Sequence, residues 1–261
     1  RVGGRLHPVS LKVRNGGKET FDLGAQWVCS GQKNITKVLD TFKLETYEQY
    51  TKGSKLMELS LGEVTSHRDQ ISSIGFFSSI EIFLAIKKID SMCKEVPLIA
   101  PENSPHAREW DGMTVETFKN QSLWTSSAKR AFDVAVSNIF DKIEFTPELP
   151  YERRVLMRQI VMGCYTKFLA TYETSFWREA GLSGQLTRYT DNEESVTSSP
   201  VSLVMDAVTS ENNAALVGFF TGFGASHWAS KSDDEKKHAA LETLKSFFGS
   251  KAGKPLDFAI K

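Results

Sequence analysis

The chain has 261 residues, of which 40% are apolar and 25% charged, enough for one large domain or two modest ones with a substantial buried core. Its 32 basic side chains balance 32 acidic ones, which excludes a global field favouring nucleic acid or an anionic membrane, and neither is expected as a partner.

The first six residues, RVGGRL, place two arginines around a glycine pair. Behind them, Leu11 and Val13, then Phe21 and Leu23, alternate with polar residues on either side of Asn15-Gly16-Gly17, which predicts a β-hairpin that stops at Gly24. Ile35, Val38, Leu39 and Phe42 follow the i, i+3, i+4, i+7 spacing of an amphipathic helix, and residues 71–93 repeat it over a longer one. A proline-rich loop at 101–113 leads to a further helix with Thr114 placed to cap it, and Ala128, Ala131, Phe132, Ala135, Val136 and Ile139 mark one side of a helix over 124–140. Helices are therefore expected to dominate 51–140.

The texture then changes. Residues 141–150 predict a short strand, and Pro150 starts a helix through about residue 160. CYTKFLATYE, SLVMDAV and AALVGFFTG are rich in β-branched and aromatic residues and are expected to pair in one sheet. Last comes a helix that Ser232 and Glu235 open as a capping box and Gly249 stops, with Ala240, Leu241, Leu244, Phe247 and Phe248 on its apolar side.

Cys29, Cys93 and Cys164 are odd in number and lack metal-ligand spacing, so no metal is expected and the usage suits a reduced, intracellular protein, cytoplasmic or mitochondrial. The most apolar window, 71–86, is broken by serines and Glu81 and falls short of the roughly 20 apolar residues of a membrane span, so no membrane segment is expected in this chain. His7, His67, His106, His227 and His238 have no carboxylate pattern around them and are read as surface residues; Trp110, Trp124, Trp177 and Trp228 are read as core anchors and Cys164 as a small buried apolar residue.

Six segments taken together resemble the flavin-containing amine oxidases, most closely the monoamine oxidases: RVGGR, DLGAQWV, AREWDGMT with LWTSSAK, KIEFTPELP, FWRE and SPVSLVMDA, in family order. The resemblance implies an α/β (α+β) fold, with a partial FAD-binding, Rossmann-like domain over 1–50, the helical part of a substrate domain over 51–140, and its strand-rich part with a C-terminal helix over 141–261. It implies FAD as cofactor, a small-molecule amine as substrate and oxygen as acceptor, and leaves room for a homodimer.

Arg1, Gly3, Gly4 and Arg5 would hold the cofactor's pyrophosphate, since glycines admit close backbone approach and arginine binds phosphate bidentately. Gly24, Ala25, Gln26 and Trp27 would pass beside the flavin ring. The resemblance gives Lys142 the catalytic role: a cation that faces the reactive ring nitrogen through a water and assists reoxidation, where positive charge offsets negative charge developing on flavin and oxygen. The G-x-G-x-x-G turn of the family is not among the 261 residues, and GFGAS at 222–226 does not replace it, lacking the spacing and falling in the expected sheet. Residue 139 passes to the lysine motif without the long intervening segment of the family, and the Gly-rich segment beyond PLDFAIK is likewise missing. Two functions follow from these residues: oxidative deamination of an amine to give hydrogen peroxide, or a non-catalytic family member unable to hold FAD that acts as a binding protein or remnant.

Overall fold

The structure, a computed structural model, describes residues 5–29, 31–68, 74–139, 165–189 and 199–261. Arg1, Gly3, Gly4, Lys142, Cys164 and the strand and helix expected over 141–160 lie outside the described residues.

The hairpin forms where Asn15 and the glycines predict it. Strands β1 (Pro8–Lys12) and β2 (Lys18–Asp22) pair antiparallel with Val9 opposite Phe21 and Leu11 opposite Glu19. Asn15 and Gly16 take φ of 58° and 71°, the left-handed region that asparagine and glycine enter at least cost, and Val13 N–H donates to Gly17 O at 2.9 Å to close the turn.

The other strands among the described residues form a seven-stranded mixed sheet. Its strands are β3 (Ser54–Ser60), β4 (Glu63–His67), β5 (Thr166–Tyr172), β6 (Leu182–Arg188), β7 (Val201–Asp206), β8 (Ala214–Phe220) and β9 (Asp257–Ile260), in spatial order β4-β3-β6-β7-β8-β5-β9. The β3–β6 pair is parallel and every other pair antiparallel. The three strands read from the sequence do share this sheet. β3 and β4 correct the expectation that 51–140 is helical: a lysine-and-glutamate-bearing strand hides the period-two signal, and Glu58 is tolerated in the interior because Arg188 of β6 pairs with it.

β5 is buried along its whole length, as a strand covered on both faces must be. Phe168, Ala170 and Tyr172 face the main core with Leu186, Val204, Leu216, Phe220 and helix α8 (Asp233–Phe248), which buries Ala240, Leu244 and Phe248. Leu169, one residue out of phase, faces the hairpin and packs with Leu11, Val13, Phe21 and Leu23. Gly218 of β8 is required here, because an added Cβ would lie 2.1 Å from the Phe168 ring.

Among the described residues of the first half of the chain, five α-helices occur: α1 (Lys33–Phe42), α2 (Phe76–Glu95), α3 (Ala107–Asp111), α4 (Val115–Ser122) and α5 (Ser126–Ile139). Thr114 caps α4 as expected, its Oγ1 accepting from Thr117 N–H at 3.0 Å, and Ser232 and Glu235 form the capping box of α8. A one-turn helix α6 (Phe176–Glu179) follows β5, and α7 (Gly222–Trp228) corrects the placement of GFGAS, which is helical and not part of the sheet. Two other expectations are overturned: Trp124 is 79% exposed and anchors no core, and His67 is buried, not a surface residue.

Candidate functional site

The alternation of β5 decides which of its side chains meet the hairpin. Lys167, Leu169 and Thr171 share that face: Thr171 Oγ1 donates to Lys12 O at 2.7 Å, Leu169 fills the apolar layer, and Lys167 reaches the chain that leaves β2. Its Nζ donates to three protein oxygens, Asp22 O at 2.6 Å, Gly24 O at 2.8 Å and Gln26 Oε1 at 2.9 Å. The Trp27 ring lies over the same ammonium, 5.3 Å from Nζ to its centroid, and Phe219 of β8 lies at 5.8 Å. The two rings stand 6.0 Å apart in a tilted pair.

An ammonium in such surroundings is poorly solvated. Burial pushes the Lys167 pKa down to about 8, against an opposing pull from the Asp22 carboxylate, and no carboxylate oxygen hydrogen-bonds it among the described residues. The group therefore changes charge close to neutrality, which an exposed lysine does not do.

The structure thus gathers three of the four loop residues singled out in the sequence. Gly24 and Gln26 supply oxygens to Lys167 and Trp27 supplies its ring, while Ala25 is exposed. The lack of a side chain at Gly24 has an internal cause: a Cβ there would fall 2.1 Å from Arg5 O. Arg5 enters only through that backbone, its carbonyl accepting from Ala25 N–H at 3.2 Å with the side chain exposed.

Lys167 itself escaped the sequence reading. The available signal was a lysine inside an otherwise apolar strand, YTKFLATY, where a long charged side chain is seldom buried without a reason. Behind the loop lies a second polar group of residues. Asp206, at the end of β7, accepts from Trp177 Nε1 at 2.8 Å and from Arg178 Nε and Nη2 at 2.7 Å each, and Arg178 stacks on Tyr50 at 3.8 Å. Gln49 joins the two, donating to Asp206 O and accepting from Trp27 Nε1, each at 2.8 Å.

A flavin ring is broad and planar, and Lys167 offers it a poorly solvated cation flanked by two aromatic rings, with its three N–H donors directed to Asp22 O, Gly24 O and Gln26 Oε1. A separate shallow cavity is lined by Glu102, Ser104, His106, Arg108 and Glu109, and none of the candidate cofactor residues lines it. No group of three or more His, Cys, Asp or Glu that could hold a metal occurs among the described residues.

Residues 108–261 match the profile of the flavin containing amine oxidoreductases. The chain belongs to that family. A probable flavin-containing monoamine oxidase A of Dictyostelium discoideum is 21% identical over 360 residues, covering all of this chain and 76% of the relative. That alignment is longer than the chain's 261 residues, so an internal stretch of the relative has no counterpart here. The flavin-containing amine oxidase A of Sus scrofa is 30% identical over 153 residues, covering 58% of this chain and 27% of that enzyme. The chain thus matches only about a quarter of the length of the mammalian relatives.

Among solved structures, putrescine oxidase bound to putrescine superposes with a TM-score of 0.74 at 21% identity, and cyclohexylamine oxidase from Brevibacterium oxydans with 0.74 at 19%. Each comparison covers the whole chain and 77% of the other protein. The structural similarities establish the mixed α/β fold with its helix-covered sheet, and the family is one that uses a flavin cofactor. No helix among the described residues is long and apolar enough to cross a membrane.

Proposed function

We propose that this chain takes part in the oxidative deamination of a small amine, with FAD held beside Lys167 and oxygen as the electron acceptor. The observation that carries this reading is the Lys167 ammonium, shielded from water and enclosed by Gly24, Gln26 and Trp27. The flavin, when bound, supplies two-electron oxidation of the amine to an imine, with oxygen reduced to hydrogen peroxide.

The chain's own residues do the rest. Trp27 and Phe219 exclude water from one side of the ammonium, so its charge acts through a poorly screening medium on whatever lies opposite. Gln26 and the carbonyls of Asp22 and Gly24 fix where that charge sits. Arg5, with Arg1, Gly3 and Gly4 before it, is assigned to the cofactor's pyrophosphate, and Ala25 to the loop's passage beside the ring. The resemblance gives the cationic role to Lys142; we transfer it to Lys167 because the latter lies against the loop assigned to the flavin.

Purified chain incubated with FAD and desalted should retain the visible absorbance of bound flavin and release hydrogen peroxide on addition of an amine. Lys167→Met should then slow reoxidation by oxygen while sparing the absorbance, and Lys142→Met should leave the rate as it is. The opposite pattern would return the role to Lys142. A colourless, folded chain would favour the second function, a non-catalytic binding protein. One observation supports that reading: all three Lys167 donors are already taken by oxygens of the chain itself.

A further inference from the structure

Trp27 is 39% exposed, so its contacts with Phe219 and Lys167 hold only one side of the indole. The ring's polar edge is fixed by a hydrogen bond, Nε1–H to Gln49 Oε1 at 2.8 Å. The Gln49 amide is held in turn, its Nε2 donating to Asp206 O at 2.8 Å and to Tyr50 O at 3.3 Å. Asp206 is among the most firmly fixed residues of the fold, 3% exposed and bound through its carboxylate to Trp177, Arg178 and the Val208 N–H. A continuous path of hydrogen bonds therefore runs from the end of β7 to the ring above Lys167.

We infer that Gln49 is a positioning residue for the Lys167 site, clamping the Trp27 indole against the rigid end of β7 so that the ring covers the ammonium. The inference deepens the proposed function and rests on its choice of Lys167 as the working cation. Gln49 touches neither Lys167 nor the cofactor-loop backbone in the hydrogen bonds described; it acts through Trp27 alone.

The charged surroundings of Lys167 allow the effect to be read. Asp22, at the end of β2, is the carboxylate it feels, and Lys261, just beyond β9, pairs with its backbone through two hydrogen bonds at 2.9 Å; β8 contributes the uncharged Phe219. Two consequences of losing the clamp oppose each other. A freed indole gives up a cation–π contact worth about 0.5–1 kcal/mol at a partly exposed site, which lowers the midpoint of Lys167 titration. Water admitted in its place relieves the burial that dominates the depression, which raises it. Burial is the larger influence, so the midpoint rises.

The test needs no cofactor. Acylation of the full chain over a range of pH, with the extent at Lys167 read by peptide mass spectrometry, gives that residue's own midpoint. Gln49→Met should raise it by about half a unit or more. Gln49→Asn, too short to reach the indole, should do the same and serves if the methionine variant does not fold. Trp27→Phe, which keeps a ring but loses the N–H, should produce the same rise, and the double variant should add nothing to it. An unchanged or lower midpoint in a folded Gln49 variant, or shifts that add in the double variant, would overturn the inference. Failure to bind FAD would refute the proposed function instead and leave these midpoints where they are.

Discussion

The sheet and the helices α2–α5 are finished to very different degrees. The sheet is covered on both faces, by α8 on one side and by the hairpin on the other, and Phe168, Trp177, Leu186, Leu216 and Phe220 are each fully buried. Between α2 and α5 the enclosed apolar cluster comprises Ala85, Leu123 and Ala128. Phe76, Phe77, Phe83 and Leu84 of α2 are all more than half exposed, as are Leu98, Ile99 and Trp124. The difference teaches where a site can be trusted to hold its geometry: Lys167 and Asp206 rise from the buried sheet, where close packing leaves few alternative positions.

The largest effect is expected at α6, whose Trp177 fills the core against the sheet. Trp177→Ala removes a fully buried indole together with its bond to Asp206 and should cost about 3–5 kcal/mol in denaturant unfolding. Leu123→Ala, in the small helical cluster, should cost only about 2 kcal/mol because the surroundings can collapse. Equal losses at the two positions would show that the two regions are equally well packed and break the contrast.

A smaller effect marks how the helical region is held together without much apolar area. Glu81 of α2 accepts from Trp124 N–H and Thr125 N–H at 3.0 Å each and from Thr125 Oγ1 at 3.1 Å, so a carboxylate on one helix caps the start of the next. Burial works to raise its pKa, but the amides of Thr125 and Trp124, with the Thr125 hydroxyl, outweigh it and hold the value below the usual 4.5. Glu81→Gln should therefore cost about 1–2 kcal/mol at neutral pH. A group depressed in the folded state stabilises above its unfolded value and loses that contribution as pH falls through the folded one, so the gap between variant and parent should close in acid below about pH 4.5. A gap that stayed the same across the whole acid limb would mean that the carboxylate's charge has no part in the capping.

The smallest effect is expected back beside the sheet. Ser232→Ala opens the capping box of α8 and should lower stability by about 1 kcal/mol, with little change in the circular dichroism of a helix anchored by Ala240, Leu244 and Phe248. Loss of the whole helix on this change would show that local capping outweighs packing there, against the order of importance the sheet region implies.

Much of this arrangement is written locally. Asn15-Gly16-Gly17 specifies a turn, Ser232 and Glu235 a helix start, and the apolar runs of β5, β7 and β8 a buried sheet, because each depends on neighbours within a few residues. β3 was hidden because its interior Glu58 contradicts the strand pattern until Arg188, 130 residues away, answers it. Trp124 looks like an anchor by residue type, but type does not say which side of a short connection faces a neighbour.

The candidate site divides along the same line. The family resemblance of DLGAQWV singled out Gly24, Ala25, Gln26 and Trp27 as one loop, because these residues are contiguous in the chain. It could not supply their partner. Lys167 lies more than 140 residues further on and meets the loop only because β5 sits beside β8 with its odd-numbered side chains turned to the hairpin. Sequence by itself determined the hairpin, the strands β5, β7 and β8, the capped helices and the family resemblance. Tertiary structure alone decided which lysine stands under the indole, since the depression of its pKa comes from burial, a property that no residue has until the chain has folded around it.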